Sequence, residues 1–366
     1  MAETADILII GAGVAGLGAA YNLAGDADVI VLEACEAPCT QTSGRSAAVY
    51  LTTYGPKGVI DLSIQSGPFY RDPPDGFGET PLLTPRGELH LDDQNGEMLG
   101  PKVAAGEIEE VSIDEALQMV PILKREGLAM AAFDGAAEDI DVDLVTGGFL
   151  RGMKALGGRL VVNARVESLS RENGVWRAIT PAGDFEAPIV INAAGAWASP
   201  VAALAGALPI HVEPRRRSAA IIPAPAGHDV RKWPLFFGAG ETWYARPTGG
   251  ALMVSSAEAI PVEPHDIQID KYDEILAGGL YRYEQRVTTP ITKVDGPWAG
   301  LRSFAPDREP VVGFDPQVEG FFWLAGQGGY GFQTAPALSK LAAELVKGAT
   351  PAGLGVDLSP TRFAAG

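Results

Sequence analysis

The chain has 366 residues, 46% of them hydrophobic, with 46 acidic residues against 28 Lys plus Arg, a formal charge of −18 and only 2 cysteines. That length and apolar content bury a full core and exceed the ~100–200 residues usual for one domain, which excludes intrinsic disorder and predicts two lobes. The charge disfavours nucleic acid and anionic membranes as partners, and Cys35 and Cys39 can build neither a disulfide scaffold nor a tetrahedral zinc site, so no metal is expected.

The apolar stretch from Ile7 to Tyr21 is preceded by Glu3 and Asp6, has no Lys or Arg before it and is broken by glycines, unlike a signal peptide. No uncharged run reaches the ~20 apolar residues that cross a bilayer. A cytoplasmic protein without a transmembrane segment is expected.

Asp6 to Ile10 reads as a strand, Gly11-Ala12-Gly13-Val14-Ala15-Gly16 as a turn, and Leu17, Ala19, Ala20 and Leu23 follow at helical spacing. A second strand, Val29 to Leu32, ends in Glu33 at the place where a ribose-binding acid belongs. Gly11 is assigned to the tight turn, Gly13 to close approach of the backbone to a pyrophosphate, and Gly16 to close helix–strand packing, with the positive end of the helix toward the phosphates. A dinucleotide site is the reading; the alternative is a glycine-rich βαβ unit without a ligand.

After Glu33 the regular β/α alternation of a nicotinamide domain stops, and the polar segment 40–46 follows. Val142 to Leu156 reads as a helix, Leu160 to Val162 as a strand, and residues 163–166 are placed near the adenine. Nucleotide-type signals return in Ile189-Val190-Ile191-Asn192-Ala193-Ala194-Gly195-Ala196-Trp197. They return again where the strand Phe321 to Ala325, the glycine loop 326–331 and a helix from Pro336 to Val346 follow one another. A cofactor gripped by both ends of the chain is long, which favours FAD. The intervening segments alternate as strands, among them Gly87 to Leu91, Ser218 to Ile222 and Ala251 to Val254. The expected fold is α/β (α+β), a Rossmann-like FAD-binding domain from residues 1–54, 145–205 and 298–366. A discontinuous substrate domain on a mixed or antiparallel sheet takes residues 55–144 and 206–297.

The ordered set of motifs resembles the FAD-dependent D-amino-acid oxidase and sarcosine oxidase superfamily over nearly the whole chain, and within it is most similar to the bacterial D-arginine dehydrogenases. Its carriers are the 11–16 glycine motif, Ser43-Gly44-Arg45-Ser46-Ala47-Ala48, residues 81–88, Asn192 to Trp197, Arg216-Arg217-Ser218, residues 298–304 and Gln327-Gly328-Gly329-Tyr330-Gly331. The resemblance implies a flavin enzyme that oxidises the Cα–N bond of a D-amino acid to an imine, which hydrolyses to a 2-oxo acid and ammonia. It extends the cofactor site beyond Gly11, Gly13, Gly16 and Glu33 to Val14, Ala15, Ala34, Ser43, Gly44, Arg45, Ser46, Ala47, Val166, Ala194, Gly195, Trp197, Arg302, Gly328, Gly329, Tyr330, Gly331 and Gln333.

Hydride transfer from Cα needs the substrate carboxylate clamped, a task suited to guanidinium groups. The resemblance assigns it to Arg302, with Tyr54 and Tyr244 adding phenolic hydrogen bonds, Arg217 in the same pocket and Tyr330 bracketing the site. Arg217 read alone belongs more readily to a solvated basic run, Arg215 to Arg217. Glu88 is expected to face a cationic side chain such as that of D-arginine or D-lysine, although Glu88 and His90 share a strand face that could simply be wet.

Val49 stands where the D-arginine dehydrogenases carry a histidine. No base is assigned to His90, His211, His228 or His265. Sarcosine oxidases carry a lysine over the flavin and attach the flavin through a cysteine of the C-terminal half. By that resemblance, the absence of lysine between Lys232 and Lys271 implies a dehydrogenase with a quinone or dye-like acceptor rather than O2, and the N-terminal position of Cys35 and Cys39 implies noncovalent FAD. The alternatives are an FAD-dependent oxidase of glycine-like, sarcosine-like or other secondary amines, and a non-catalytic nucleotide-binding module.

Overall fold

A computed structural model describes residues 2–93, 95–350 and 353–364. A six-stranded sheet forms around the first strand, in the spatial order Arg159–Val161, Val29–Leu32, Ile7–Ile10, Ile189–Asn192, Phe321–Ala325, Val311–Phe314. All neighbours are parallel except the last pair. Successive residues of a strand point to opposite faces. Ile7 and Ile9 therefore enter one core with Leu17, Phe149 and Leu338, while Leu8 and Ile10 enter another with Trp176, Phe185 and Val201. Burial on both faces is why this strand reads as a continuous apolar run.

Helices Val14–Leu23, Val142–Ala155 and Gly331–Val346 cover the first face. The second face is covered by helix Ala198–Ala205 and a four-stranded sheet of Glu3–Thr4, Gly183–Ala187, Val175–Thr180 and Ser168–Glu172.

The other large element is a ten-stranded sheet running Gln327–Gly328, Asp295–Phe304, Glu213–Ile222, Ala251–Ser255, Tyr244–Thr248, Leu235–Phe237, Glu88–Asp92, Met130–Asp134, Glu109–Val111, with Ile260–Pro261 also paired to Glu213–Ile222. Its own core contains Leu89, Ala220, Phe236, Trp243 and Val254, and helix Glu274–Arg286 contributes Leu276, Leu280 and Tyr283.

The structure divides the chain differently from the sequence reading at two points. Residue 298 lies within the continuous strand Asp295–Phe304 of the ten-stranded sheet, so the second lobe extends through it. Helix Lys57–Arg71 falls in the segment expected in the substrate domain, yet Leu62 and Tyr70 are buried in the core of the six-stranded sheet. The apolar face of that helix has its counterpart on helix Gly331–Val346, where the Ala337 N–H donates to Ser66 Oγ at 3.1 Å.

The glycine loop expected at 326–331 is in part a strand: Gln327 and Gly328 pair with Phe304 and Ser303, tying the two sheets together before the last helix begins. No helix among the described residues is long and apolar enough to cross a membrane. Among those residues no group of three or more His, Cys, Asp or Glu could hold a metal ion.

Candidate functional site

The glycine motif turns at Gly11, whose φ of +104° is accessible chiefly to glycine; a Cβ there would lie 2.5 Å from the Ala193 carbonyl oxygen. Gly16 packs more tightly still, since its Cβ would fall 1.9 Å from the Gly11 carbonyl oxygen. At Gly13 the surroundings are open apart from Ser43 Oγ, 3.2 Å from the position of a Cβ. Helix Val14–Leu23 starts there without a side-chain cap from Gly13, and the Val14 N–H donates to Ser43 Oγ at 3.0 Å.

Two cavities meet at this turn and share Gly13, Thr42, Ser43, Ala193 and Gly195. The smaller, about 450 Å³, runs over the ends of the parallel strands and is lined by Gly11, Glu33, Ala34, Val166, Ala194 and Trp197. The Glu33 carboxylate is fixed on its wall, accepting the Ala12 N–H at 2.7 Å and the Cys35 N–H at 2.9 Å. Each oxygen keeps a second lone pair for a ribose hydroxyl. Cys35 and Cys39 line this same end. Burial, followed by the charge of Glu33, pushes the Cys39 thiol up to about 12.

The larger cavity, about 510 Å³, lies between the last helix and the ten-stranded sheet. Val14, Ala15, Ser46, Ala47, Gly328, Gly329, Gly331 and Gln333 line it on the nucleotide side. Glu88, Arg217, Tyr244 and Arg302, carried by four different strands of the one sheet, line it opposite, with Tyr54 from a loop.

Neither Arg217 nor Arg302 has an acidic partner among the described residues. Arg302 lies against the backbone of Gly329, where a Cβ would meet its guanidinium at 1.7 Å, and near the rings of Phe304 (5.5 Å) and Tyr330 (6.0 Å). Arg217 donates from Nε to the Glu258 carbonyl at 2.7 Å and stands 5.9 Å from the Tyr244 ring. Its neighbours in the basic run are engaged elsewhere, Arg215 with Glu213 and Arg216 with Asp273. Strand alternation turns Arg216 to the other face.

The structure brings most of the expected residues to the two cavities and leaves three off their walls. Gly16 and Gly44 act by packing, the latter because a Cβ would lie 2.1 Å from the Cys39 carbonyl oxygen. Tyr330 is turned into a small cluster with Val59 and Phe304, edge-on to Tyr54 at 5.3 Å. Burial holds its phenol above the usual range, Tyr54 adds to this and Arg302 opposes it. It supports Arg302 and Tyr54 from behind. Arg45 reaches the cavity wall, but its guanidinium is committed to the carbonyls of Thr40, Ile267 and Ala299 and to Asp266. These contacts tie the 40–46 segment to residues 266–267 and 299.

Wall residues beyond those expected include Thr42, Val49, His90, Lys102, Phe237, Ser303 and Gln327. His90 Nε2 lies 3.4 Å from Glu88 Oε2, and its ring stacks on Phe237 at 4.7 Å. The face shared by positions 88 and 90 was the available signal. Nothing local marks Phe237 or Lys102.

An open glycine at a helix N-terminus, an acid fixed at the far end, and a second chamber between two lobes fit an extended dinucleotide. Comparison with known proteins agrees. The family model of FAD dependent oxidoreductases (DAO) matches residues 6–345. The chain is 24% identical to the FAD-dependent oxidoreductase domain-containing protein 1 of Xenopus laevis, covering 94% of this chain and 79% of that protein. It is 25% identical to the mitochondrial dimethylglycine dehydrogenase of Rattus norvegicus across 99% of this chain, which spans 45% of that protein. The crystal structure of L-proline dehydrogenase from P. horikoshii superposes with a TM-score of 0.82 at 23% identity, covering 100% of this chain and 99% of that one. The chain thus belongs to the DAO family of FAD dependent oxidoreductases, and FAD is its cofactor.

Proposed function

We propose that the protein is a dehydrogenase of cationic D-amino acids holding FAD noncovalently. The observation that carries this reading is the composition of one sheet face, where two guanidinium groups without acidic partners among the described residues and a buried carboxylate, Glu88, lie on the wall of a single chamber. When bound, FAD supplies the acceptor for the hydride leaving Cα. Arg302 and Arg217 would bind the substrate carboxylate, each through parallel N–H donors. The Tyr244 and Tyr54 hydroxyls add donors beside them. Glu88, only 6% exposed, would receive the positive side chain. No residue is required to hold the amine proton, which passes to water.

Noncovalent attachment is supported by the two free cysteines, both on the wall of the cavity that carries Glu33 rather than of the chamber. The same thiols support a reducing, cytoplasmic setting. A quinone or dye-like electron acceptor is part of the proposal.

The test is anaerobic bleaching of the flavin by D- and L-arginine, lysine, alanine, methionine and glutamate, with the wild type and Glu88→Leu. Loss of a charge-assisted contact of ~1.5–3 kcal/mol predicts a ~10–100-fold fall in kcat/KM for cationic D-substrates. The apolar substrates should change by less than ~3-fold. Equal losses across the panel refute the role of Glu88.

A second reading, an O2-using oxidase of glycine-like or secondary amines, draws support from Lys102, a lysine on the chamber wall. Rapid oxygen consumption that disappears in Lys102→Met would favour it.

A further inference from the structure

The strand opposite Arg217 is irregular. Ser255 pairs with Ala219 and Ile260 with Arg216, so residues 256–259 on one strand face only 217 and 218 on the other. Two extra residues are therefore inserted beside the guanidinium. Such bulges commonly re-aim a side chain next to a site.

Within the bulge, Ala257 has φ +54°, a left-handed conformation unfavourable for a residue with a Cβ, and it lines the chamber. This reversal turns the Glu258 carbonyl to Arg217 Nε at 2.7 Å. The Glu258 carboxylate is turned the other way and accepts from Ser218 Oγ and, at 2.5 Å, from Ser256 Oγ, with Arg216 Nε 3.4 Å away. Arg216 is held in turn by Asp273 at 2.5 Å.

The bulge is braced from outside and from within. A Cβ on Gly279 of helix Glu274–Arg286 would lie 2.3 Å from Ser256 Cα, and Arg282 donates to the Ser256 carbonyl at 3.2 Å. The Ala257 N–H donates to Ser255 Oγ at 3.1 Å, and that hydroxyl donates to the Ser218 carbonyl at 2.7 Å. These contacts together hold the backbone of residues 255–258 in place beside Arg217.

We infer that Glu258 is a positioning residue: anchored by Ser218, Ser256 and Arg216, it fixes the 256–259 bulge so that its carbonyl occupies Arg217 Nε and leaves the two terminal nitrogens of Arg217 for the substrate carboxylate. The inference rests on the assignment of Arg217 to carboxylate binding and adds the device that sets it. A guanidinium tethered at Nε loses less rotamer freedom on binding than a free one. Without the anchor, the carbonyl swings away and Arg217 samples other rotamers.

The experiment titrates FAD-loaded enzyme with propionate, a bare carboxylate, followed by the flavin absorbance. It compares wild type, Glu258→Ala, Glu258→Gln, Arg217→Met and the Glu258→Ala/Arg217→Met double variant. Flavin content and thermal midpoint select folded samples. Expected are a ~10-fold weaker propionate Kd for Glu258→Ala, at least that for Arg217→Met, and a double variant no weaker than Arg217→Met alone, because Glu258 acts through Arg217. Glu258→Gln, whose carboxamide can accept from one serine hydroxyl and donate to the other, should stay within ~3-fold and serves if the alanine variant does not fold. It is paired with Ala257→Val, whose β-branched side chain opposes the positive φ and should reproduce the ~10-fold loss.

If Arg217→Met weakens binding while Glu258→Ala and Ala257→Val do not, or if the double variant is additive, the positioning role is overturned and the carboxylate reading stands. If Arg217→Met itself leaves propionate binding unchanged, the carboxylate reading fails and the inference fails with it.

Discussion

The last helix contains a proline that the structure compensates in a specific way. Pro336 has no N–H, so the Phe332 carbonyl, four residues earlier in helix Gly331–Val346, lacks its helical donor. The hydroxyl of Tyr70, from helix Lys57–Arg71, donates to that carbonyl instead. Tyr70 is 1% exposed, so no bulk water stands ready to replace it. Tyr70→Phe removes the hydroxyl and leaves a buried acceptor unsatisfied, at a cost of about 1–3 kcal/mol. Pro336→Ala restores the missing N–H, and in that background Tyr70→Phe should cost less by about 1 kcal/mol or more. Urea denaturation of all four proteins at one fixed FAD concentration measures the cycle, since bound cofactor adds to apparent stability. A Tyr70→Phe cost under ~0.5 kcal/mol, or a strictly additive cycle, refutes the compensation. The consequence reaches the site, because Gly331, Phe332 and Gln333 of this first turn line the large cavity.

Further outcomes follow from the same geometry. Gly16→Ala should abolish the folded yellow protein, since its Cβ meets an immovable backbone oxygen at 1.9 Å, whereas Gly13→Ala should fold but bind FAD at least ~10-fold more weakly; flavin-to-protein ratios after gel filtration distinguish the two. Asp139 accepts from Arg86 at 2.6 Å and Arg246 at 2.9 Å and joins the Glu138–Ile140 strand to the ten-stranded sheet, so Asp139→Asn should lower stability by about 3 kcal/mol, read by urea titration. With its thiol pushed up to about 12, Cys39 is thiolate to only about one part in 10⁴ at pH 8, and peptide mapping after iodoacetamide at that pH should find it unmodified.

The nucleotide half was legible because its signals are local. A strand buried on both faces, glycines demanded by a reversed φ and by a 1.9 Å approach, and an acid at the end of the second strand all lie within 33 residues. The strands Val29–Leu32 and Phe321–Ala325 appear where their apolar runs predict them, and helix Val142–Ala155 ends one residue short of its expected limit. The substrate half was legible only through the resemblance, because its wall is assembled from residues 88, 217, 244 and 302, whose separation in the chain carries no periodic trace.

What the sequence determined by itself is therefore the cofactor: backbone conformation is a short-range property, and a dinucleotide is bound largely by backbone. What the tertiary structure alone decided is the chamber. Strand pairing across the ten-stranded sheet chose which arginine of the run 215–217 faces inward, set His90 beside Glu88, turned Tyr330 behind Arg302, and placed a two-residue bulge against Arg217. Register is fixed by the sum of many distant contacts, and shifting a strand by one residue would turn each of its side chains to the opposite face.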